Sequence, residues 1–398
     1  MLSHVAVWAY SAAHFLKTGV LLALQNHSGD FLASFPAHTI VTWINRPDLF
    51  SGSLAEHWFP PPRWGYGPGM HLVTFPLLFL PSLPDIYRIW LFINYGFLAV
   101  ACWLLYRIAF PGPTGPAYVT MFGFLVLNYY PLYEALIQRN IEIFELLLIV
   151  GAMTVYARRR DALAGGLVGF GAMTKFLPGI FVPYFVLKGR WRAAWTALVV
   201  IGIVAILAQV TLRWQYNSTF LNLMAGIYRE SPLNQSVSGP VLRVARWAGF
   251  QGYGIALSWA IIFILGAALC WVMLRFRSMG NWQIEWSLLI VAMIMLLPHN
   301  ENYYLVFLLI PYAVLLGMVK NGAIPQWQSK ALIAASFVLT GWPIPLSLLD
   351  RALGRPAAEL LLRLSVPVWG VGLLVVVLIK TLRETSARTL PQEIPACS

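Results

Sequence analysis

Residues 255–275 read IALSWAIIFILGAALCWVMLR and carry no charge before the final Arg275. As an α-helix this run would be about 31 Å long, enough to cross the ~30 Å hydrocarbon core of a bilayer. Comparable apolar runs recur from one end of the chain to the other, so a single anchor or a signal peptide does not explain them. The predicted spans are 4–24, 86–107, 116–133, 141–157, 191–212, 255–275, 282–298, 303–319, 330–349 and 360–380.

The composition of the whole chain agrees with these runs. Hydrophobic residues make up 59% of the 398 residues, charged residues make up 11%, and the mean hydropathy is +0.70. A soluble domain usually carries about 25% charged residues. The sequence therefore predicts an all-α integral membrane protein, a polytopic helical bundle of about 10–12 membrane segments.

The basic residues indicate the orientation of the bundle. They concentrate at span ends in 158–160, 188–192 and 275–277, which all face the cytoplasm if the N-terminus does. Although the net charge is +12, this placement favours contacts with membrane lipid and not with nucleic acid. We predict a single transmembrane domain over 1–382, with long extracytoplasmic loops at 25–85 and 213–254, and a cytoplasmic tail at 383–398.

One apolar segment, 162–187, does not fit a single crossing, because basic clusters on both of its flanks belong on the same side. Its centre reads GFGAMTKFLP from Gly169 to Pro178. We predict two short helices that rise into the membrane and return, with Lys175 at the break. A lysine at that depth costs about 2.5–3.5 kcal/mol and needs a partner. The alternative is a lysine that snorkels from the end of a span.

The first outer loop contains a second apolar stretch, 70–81, that is too short to span. Pro76 and Pro81 lie within it and Pro84 follows it, so we predict an interfacial or re-entrant helix with Tyr66 and nearby tryptophans at headgroup level.

Asp30 follows the first span almost immediately, in the sequence Ser28-Gly29-Asp30-Phe31. A carboxylate at the membrane face is partly desolvated, which makes it a stronger proton acceptor. A plain helix-end aspartate is the alternative interpretation.

Further polar groups cluster on the same predicted side. They are Gln138, Asn140 and Glu142; Arg229, Asn234, Gln235 and Ser236; Arg243 and Arg246; and His299, Glu301, Asn302 and Tyr303. Amides pair with hydroxyl groups and guanidinium groups grip phosphate oxygens, so this set suits a sugar and a phosphate. The chain shows no catalytic triad motif, zinc motif or phosphate-binding glycine loop, and its three cysteines lack metal-ligand spacing. We therefore expect no cofactor and no metal requirement.

Several motifs appear in an order that resembles glycosyltransferase family 87, over most of the chain. They are Gly29-Asp30-Phe31, Trp64 to Pro68, Gln138-Arg139-Asn140, Gly169 to Pro178, Asn234-Gln235-Ser236 and Tyr303-Tyr304. That family belongs to the C-fold (GT-C) class of polytopic glycosyltransferases, which use polyprenyl-phosphate sugars. Among these motifs, Asn234-Gln235-Ser236 is the most specific match.

The resemblance implies an inverting sugar transfer on the extracytoplasmic face of the plasma membrane. The donor would be a polyprenyl-phosphate sugar, by analogy one that carries mannose or arabinofuranose, and the acceptor would be an envelope glycolipid or polysaccharide. It implies Asp30 as general base. Donor and phosphate contacts would come from Lys175, Arg229, Arg243, Arg246, Asn234 and Gln235. Sugar and acceptor contacts would come from His38, Tyr66, Gln138, Asn140, His299, Glu301, Asn302 and Tyr303.

The chain departs from the family pattern in two places. Phe35 and His38 stand where a tyrosine usually follows the aspartate, and His299 lies earlier than the usual histidine, with Asn302 directly before Tyr303. Two other classes of function stay open. A lipid transporter would suit an intramembrane lysine at a broken helix, and an O-antigen ligase or polymerase would use a polyprenyl diphosphate donor.

Overall fold

The computed structural model describes residues 2–25, 67–74, 76–77, 80, 83–212, 231, 233–276, 281–341, 354, 356, 360 and 363–389. This part of the chain is built from helices and turns, without a β-strand. It divides into two compact units. Unit 1 comprises Met1–Ile108 and Val126–Ile227, and unit 2 comprises Ala109–Leu125 and Tyr228–Ser398.

The helices are numbered in chain order. Those of the first half are α1 (Leu2–His14), a π-helix (Phe15–Leu21), α2 (Leu22–Gln25), α3 (Pro68–Thr74), α4 (Leu83–Ala109), α5 (Pro116–Leu127), α6 (Tyr130–Ile137), α7 (Glu142–Ala157), α8 (Asp161–Lys175), a 3-10 helix (Leu177–Ile180), α9 (Phe181–Leu187) and α10 (Trp191–Leu212). Those of the second half are α11 (Ser238–Trp247), α12 (Gln251–Arg275), α13 (Trp282–Met295), a 3-10 helix (Asn302–Leu308), α14 (Leu309–Lys320), α15 (Trp327–Gly341) and α16 (Val366–Thr389).

Within the described residues, five helical segments are long and apolar enough to cross a membrane. They are Ser3–Gln25, Pro84–Ala109, Gln251–Arg275, Asn302–Lys320 and Val366–Ser386. Shorter apolar helices add to these, at Pro116–Leu127, Leu177–Leu187, Trp191–Leu207 and Trp282–Met295. The prediction of an all-helical, multi-spanning membrane protein is confirmed.

One predicted span is wrong. The span expected at 116–133 is two helices, because Tyr129 is extended and Pro131 lies in the first turn of α6. Proline lacks an N–H group and therefore starts a helix more readily than it continues one. At the other end of the chain, α16 runs on to Thr389, so the first residues of the tail predicted at 383–398 are helical.

The segment around Lys175 is a broken pair of helices, as predicted. Helix α8 stops at Phe176, whose backbone is left-handed with φ 69°. The 3-10 helix with Pro178 follows, and α9 leads on to α10.

After this break the chain runs back, so that α10 begins beside the start of α8. A Cβ atom on Gly165 would meet the backbone of Ala193, and one on Gly169 would meet the backbone of Ala197. Because both residue numbers increase together, α8 and α10 run parallel and in direct contact. The 15 residues of α8 rise about 22 Å. The 3-10 helix and α9, with 4 and 7 residues, cover about 18 Å of return path.

An ion pair joins the two ends that this return brings together. Arg190 Nη1 lies 3.3 Å from Asp161 Oδ2, between the start of α10 and the start of α8. The basic clusters 158–160 and 188–192 therefore lie at the same end of these helices, as the charge pattern predicted.

Candidate active site

A buried charged cluster lies at the break in unit 1. Helices α7 and α8 form an antiparallel hairpin, so the first turn of α7 meets the last turn of α8. Lys175 Nζ donates a hydrogen bond to Glu142 Oε1, and Thr174 Oγ1 donates to Glu145 Oε1 at 2.9 Å. Glu142, Glu145 and Thr174 are fully buried and Lys175 is 5% exposed. The interpretation of Lys175 as a snorkelling residue is therefore wrong, because its ammonium group is held inside the protein by a carboxylate.

Gly67, directly before α3, lies against the two residues that precede Lys175. Gly67 donates its N–H to the carbonyl of Thr174 at 2.6 Å. A Cβ atom at Gly67 or Gly69 would overlap the carbonyl of Met173, so only glycine permits this approach. The predicted helix in 70–81 is present as α3, and it docks against the end of α8 that carries Lys175.

The turn Gln138-Arg139-Asn140 lies between α6 and α7 and is fixed by Arg139. This residue has a left-handed backbone, with φ 52°. Its guanidinium group donates to the carbonyl of Ala23 at 2.9 Å and lies 5.6 Å from the centre of the Tyr87 ring. Its own carbonyl accepts a hydrogen bond from Trp90 Nε1 at 2.9 Å. Arg139 thus ties α2 and α4 to this turn.

The two neighbours of Arg139 were predicted to contact sugar. Asn140 is fully buried, whereas Gln138 is partly exposed. Of these two side chains, Gln138 is therefore the more accessible to a bound ligand.

In unit 2, Asn234 organises a second polar cluster. Its Oδ1 accepts hydrogen bonds from Ser236 N at 3.1 Å, Ser236 Oγ at 2.8 Å and Asn300 N at 3.1 Å. Its Nδ2 donates to the carbonyl of Pro298 at 3.0 Å. The N–H of Gln235 donates to the carbonyl of Asn300 at 2.5 Å. The motif Asn234-Gln235-Ser236 is thereby joined to the loop that carries His299, Glu301 and Asn302.

Arg243 and Arg246 on α11 have different surroundings. Arg243 donates to the carbonyls of Ser231 at 2.8 Å and Arg363 at 3.1 Å, and to Ser365 Oγ. Its guanidinium group therefore braces the loop before Asn234 against the start of α16. Arg246 is exposed and is the more accessible of the two to an anion.

The loop after α13 holds a histidine–carboxylate pair. His299 Nε2 lies 2.9 Å from Glu301 Oε1. Beyond it, Tyr303 stacks on Tyr304 with ring centres 4.8 Å apart. Between the paired residues lies Asn300, whose side chain is fully buried with neither amide atom hydrogen-bonded to the described part of the chain.

The structure thus groups the predicted residues in two places. Unit 1 brings Lys175 to Glu142, and unit 2 brings Asn234 and Gln235 to the loop of His299, Glu301 and Asn302. Four predicted residues, Asp30, His38, Tyr66 and Arg229, lie outside the described residues. Across the described ranges, no group of histidine, cysteine and carboxylate side chains is arranged to hold a metal ion.

Sequence reasoning did not single out Glu145, Thr174 or Asn300 as site residues. Glu142 and Glu145 are three residues apart in an apolar helix. Since that spacing puts both carboxylates on one helix face, it is the signal that could have identified the pair.

The match to a family model decides the class of this protein. The model for glycosyltransferase family 87 matches residues 64–298, more than half of the chain. The chain belongs to glycosyltransferase family 87. The matched region contains the Lys175 break and the Asn234 motif, and it ends at Pro298, where the Asn234 side chain binds.

Solved structures to which this chain is similar include crystal structures of ArnT from Cupriavidus metallidurans. One is in the apo state and one is bound to undecaprenyl phosphate. Each has 17% sequence identity and a TM-score of 0.46, over 96% of this chain and 77% of that chain. Among curated proteins, no sequence matches.

Membership of family 87 confirms the resemblance drawn from the motifs. The chain is a glycosyltransferase integral to a membrane, and the predicted GT-C class agrees with the family to which it belongs. Family membership thus supports the glycosyltransferase prediction over the alternative of a lipid transporter without catalytic activity.

Proposed function

We propose that this family 87 enzyme transfers a sugar from a polyprenyl-phosphate donor to an envelope glycolipid or polysaccharide. The transfer takes place on the extracytoplasmic face of the plasma membrane and inverts the anomeric centre. The observation that carries this proposal is the family match over residues 64–298. Mannose and arabinofuranose are the sugars that the family resemblance favours.

In the proposed reaction Asp30 is the general base. It takes the proton from an acceptor hydroxyl as that oxygen attacks the anomeric carbon. The bond from the anomeric carbon to the phosphate oxygen breaks at the same time, and polyprenyl phosphate leaves with the electron pair. Charge builds on that phosphate, so a cation beside it accelerates the step.

The buried pair of Lys175 and Glu142 supports a phosphate site at the helix break. A flexible lysine side chain must be ordered when its ammonium group binds a ligand, and this loss of conformational entropy weakens binding. Here Glu142 already holds Lys175 in one position at the end of α8. We infer that the donor phosphate binds this preordered ammonium group.

Donor preference tests the proposal. Purified enzyme in lipid nanodiscs is given labelled sugars on polyprenyl monophosphate and on polyprenyl diphosphate, together with an envelope extract as acceptor. We expect label to move from a monophosphate donor and not from the diphosphate. Transfer from diphosphate donors alone would instead support an enzyme of the ligase or polymerase kind.

A further inference from the structure

The end of unit 1 at which α8 begins carries a concentrated positive charge. Two turns lie there, 158–160 between α7 and α8 and 188–190 between α9 and α10. The sequence from 158 to 192 contains a single acidic residue, Asp161, and six basic residues at this end. The six are Arg158, Arg159, Arg160, Lys188, Arg190 and Arg192.

Packing joins the two turns into one surface. Arg190 Nη1 lies 3.3 Å from Asp161 Oδ2, and the Arg190 guanidinium carbon lies 5.3 Å from the centre of the Tyr156 ring. Tyr156, in the last turn of α7, stacks on Phe185 of α9 with ring centres 6.0 Å apart. The turns are therefore held together by an ion pair above an aromatic layer.

The packing of this surface already uses its one carboxylate. The arginines at 158–160 and Arg192 are exposed and form no ion pair with a described residue. Like charges at such short range repel one another, so the binding of an anion lowers the free energy of this surface. The surface thus fits a negatively charged partner.

Two tryptophans place the surface at the boundary of the membrane. Trp191 and Trp195 on α10 are 56% and 63% exposed, and a spacing of four residues puts them on one helix face. Exposed tryptophan is typical of the level where hydrocarbon meets lipid head groups. The apolar part of α10, Trp191–Leu207, begins at the same point. The anion that suits this position is therefore part of a lipid.

We propose that the two turns bind the phosphate of an anionic phospholipid in the adjoining leaflet, with the tryptophan pair against its acyl chains. A guanidinium group binds two phosphate oxygens at once, which favours arginine over a diffuse positive charge. Basic clusters between helices at a membrane face suit such head groups. The competing explanation is that the arginines only set topology, as basic residues at span ends do. The proposal is independent of sugar transfer.

Two triple variants remove the same charge from different places, so a difference between them reports position and not net charge. The site variant changes exposed residues of the two turns and leaves their ion pair intact, and it is Arg158→Gln/Arg159→Gln/Arg192→Gln. The control variant changes three exposed basic residues of unit 2, and it is Arg275→Gln/Lys330→Gln/Arg383→Gln. A third variant exchanges the same three arginines of the site for lysine and keeps their charge.

The experiment is native mass spectrometry of the full-length protein in micelles, with phosphatidylglycerol and phosphatidylcholine that carry identical acyl chains. We expect wild type to hold phosphatidylglycerol at least about tenfold more tightly than phosphatidylcholine. The site variant should lose about tenfold in affinity for phosphatidylglycerol. The control variant and the lysine variant should stay within about threefold of wild type.

Four results would overturn the proposal. Equal losses in the site and control variants would show that net charge alone attracts the lipid. Wild type without a preference for phosphatidylglycerol would show that the surface does not select an anionic head group. A loss in the lysine variant as large as in the site variant would show a structural effect of the substitutions. Displacement of the lipid by excess inorganic phosphate would assign the surface to a soluble anion.

Discussion

At Lys175, the sequence predicts the break in the helix but not the partner of the ammonium group. Its place between an apolar glycine-rich run and Pro178 was enough to predict a break and the need for a partner. The partner itself is 33 positions away along the chain. It depends on the register of the hairpin formed by α7 and α8, which no local pattern encodes. Asn300 was overlooked for a similar reason, because its contact with Asn234 joins residues 66 positions apart.

Replacing Lys175 by methionine tests both its structural and its functional role. The change leaves Glu142 buried without its cation, so we expect the free energy of unfolding to fall by about 3–5 kcal/mol. It should also raise the KM for donor more than the KM for acceptor. Equilibrium denaturation in mixed micelles and steady-state kinetics measure the two effects.

The double variant Lys175→Met/Glu142→Leu separates these effects. Exchange of both charges for apolar groups should restore most of the stability, while donor use stays impaired. A double variant with wild-type donor kinetics would show that the lysine is only structural. Lys188→Met, at the other end of this helix pair, is the control and should leave both quantities near wild type.

At the scale of elements, the parallel contact of α8 with α10 determines the path of the chain around the break. Direct backbone contact along two helices requires small residues at the crossing. Gly165 and Gly169 lie against Ala193 and Ala197 in this way. These small residues can be read from the sequence, but the sequence does not show which helix they contact.

Gly165→Ala and Gly166→Ala form a sharp comparison at this contact. The Cβ atom at Gly165 would overlap the backbone of Ala193, whereas the one at Gly166 would lie 3.9 Å from Thr196 Cγ2. We expect Gly165→Ala to destabilise the protein by about 1–3 kcal/mol. Gly166→Ala should stabilise it by up to about 1 kcal/mol through helix propensity. Thermal unfolding of both variants measures the difference, and equal effects would contradict the parallel packing.

The return of the chain can be tested by cysteine labelling. In a background with Cys102, Cys270 and Cys397 replaced by serine, single cysteines at Arg159 and Arg192 should react alike with a membrane-impermeant maleimide. Both positions are exposed at the same end of α8 and α10. We expect both to react only after the membrane is permeabilised.

Two positions at opposite ends of α12, Phe250 and Arg275, calibrate that experiment. Cysteines there should react from opposite sides, because α12 is long enough to cross the membrane. If Arg159 and Arg192 gave opposite results, the segment between them would be a simple crossing and the return would be wrong.

At the scale of the whole molecule, hydropathy and charge predicted the helical membrane architecture. They did so because burial in lipid requires long apolar helices whatever their neighbours are. Local breaks were harder to predict. The interruption before Pro131 was missed within an apolar run, whereas the one before Pro178 was found because basic clusters on both flanks excluded a crossing. Positions of site residues depend on packing between distant segments and could be predicted only through family resemblance.

A metal-independent reaction is expected of the whole enzyme. The sequence offers no set of metal ligands, and the proposed mechanism uses cationic side chains to stabilise the leaving phosphate. Addition of EDTA should therefore leave the transfer rate within about twofold of the untreated enzyme, a change below 0.5 kcal/mol in barrier. Loss of activity with recovery on addition of magnesium or manganese would refute this part of the mechanism.

The most direct test of the central claim is label transfer from polyprenyl-phosphate mannose and polyprenyl-phosphate arabinofuranose by wild type and Asp30→Asn. The control is Asp85→Asn, at an exposed ion pair in the first turn of α4. We predict transfer from one of the donors by wild type and Asp85→Asn, and none by Asp30→Asn at equal expression. Transfer by Asp30→Asn at the wild-type rate, or by no variant from either donor, would contradict the account.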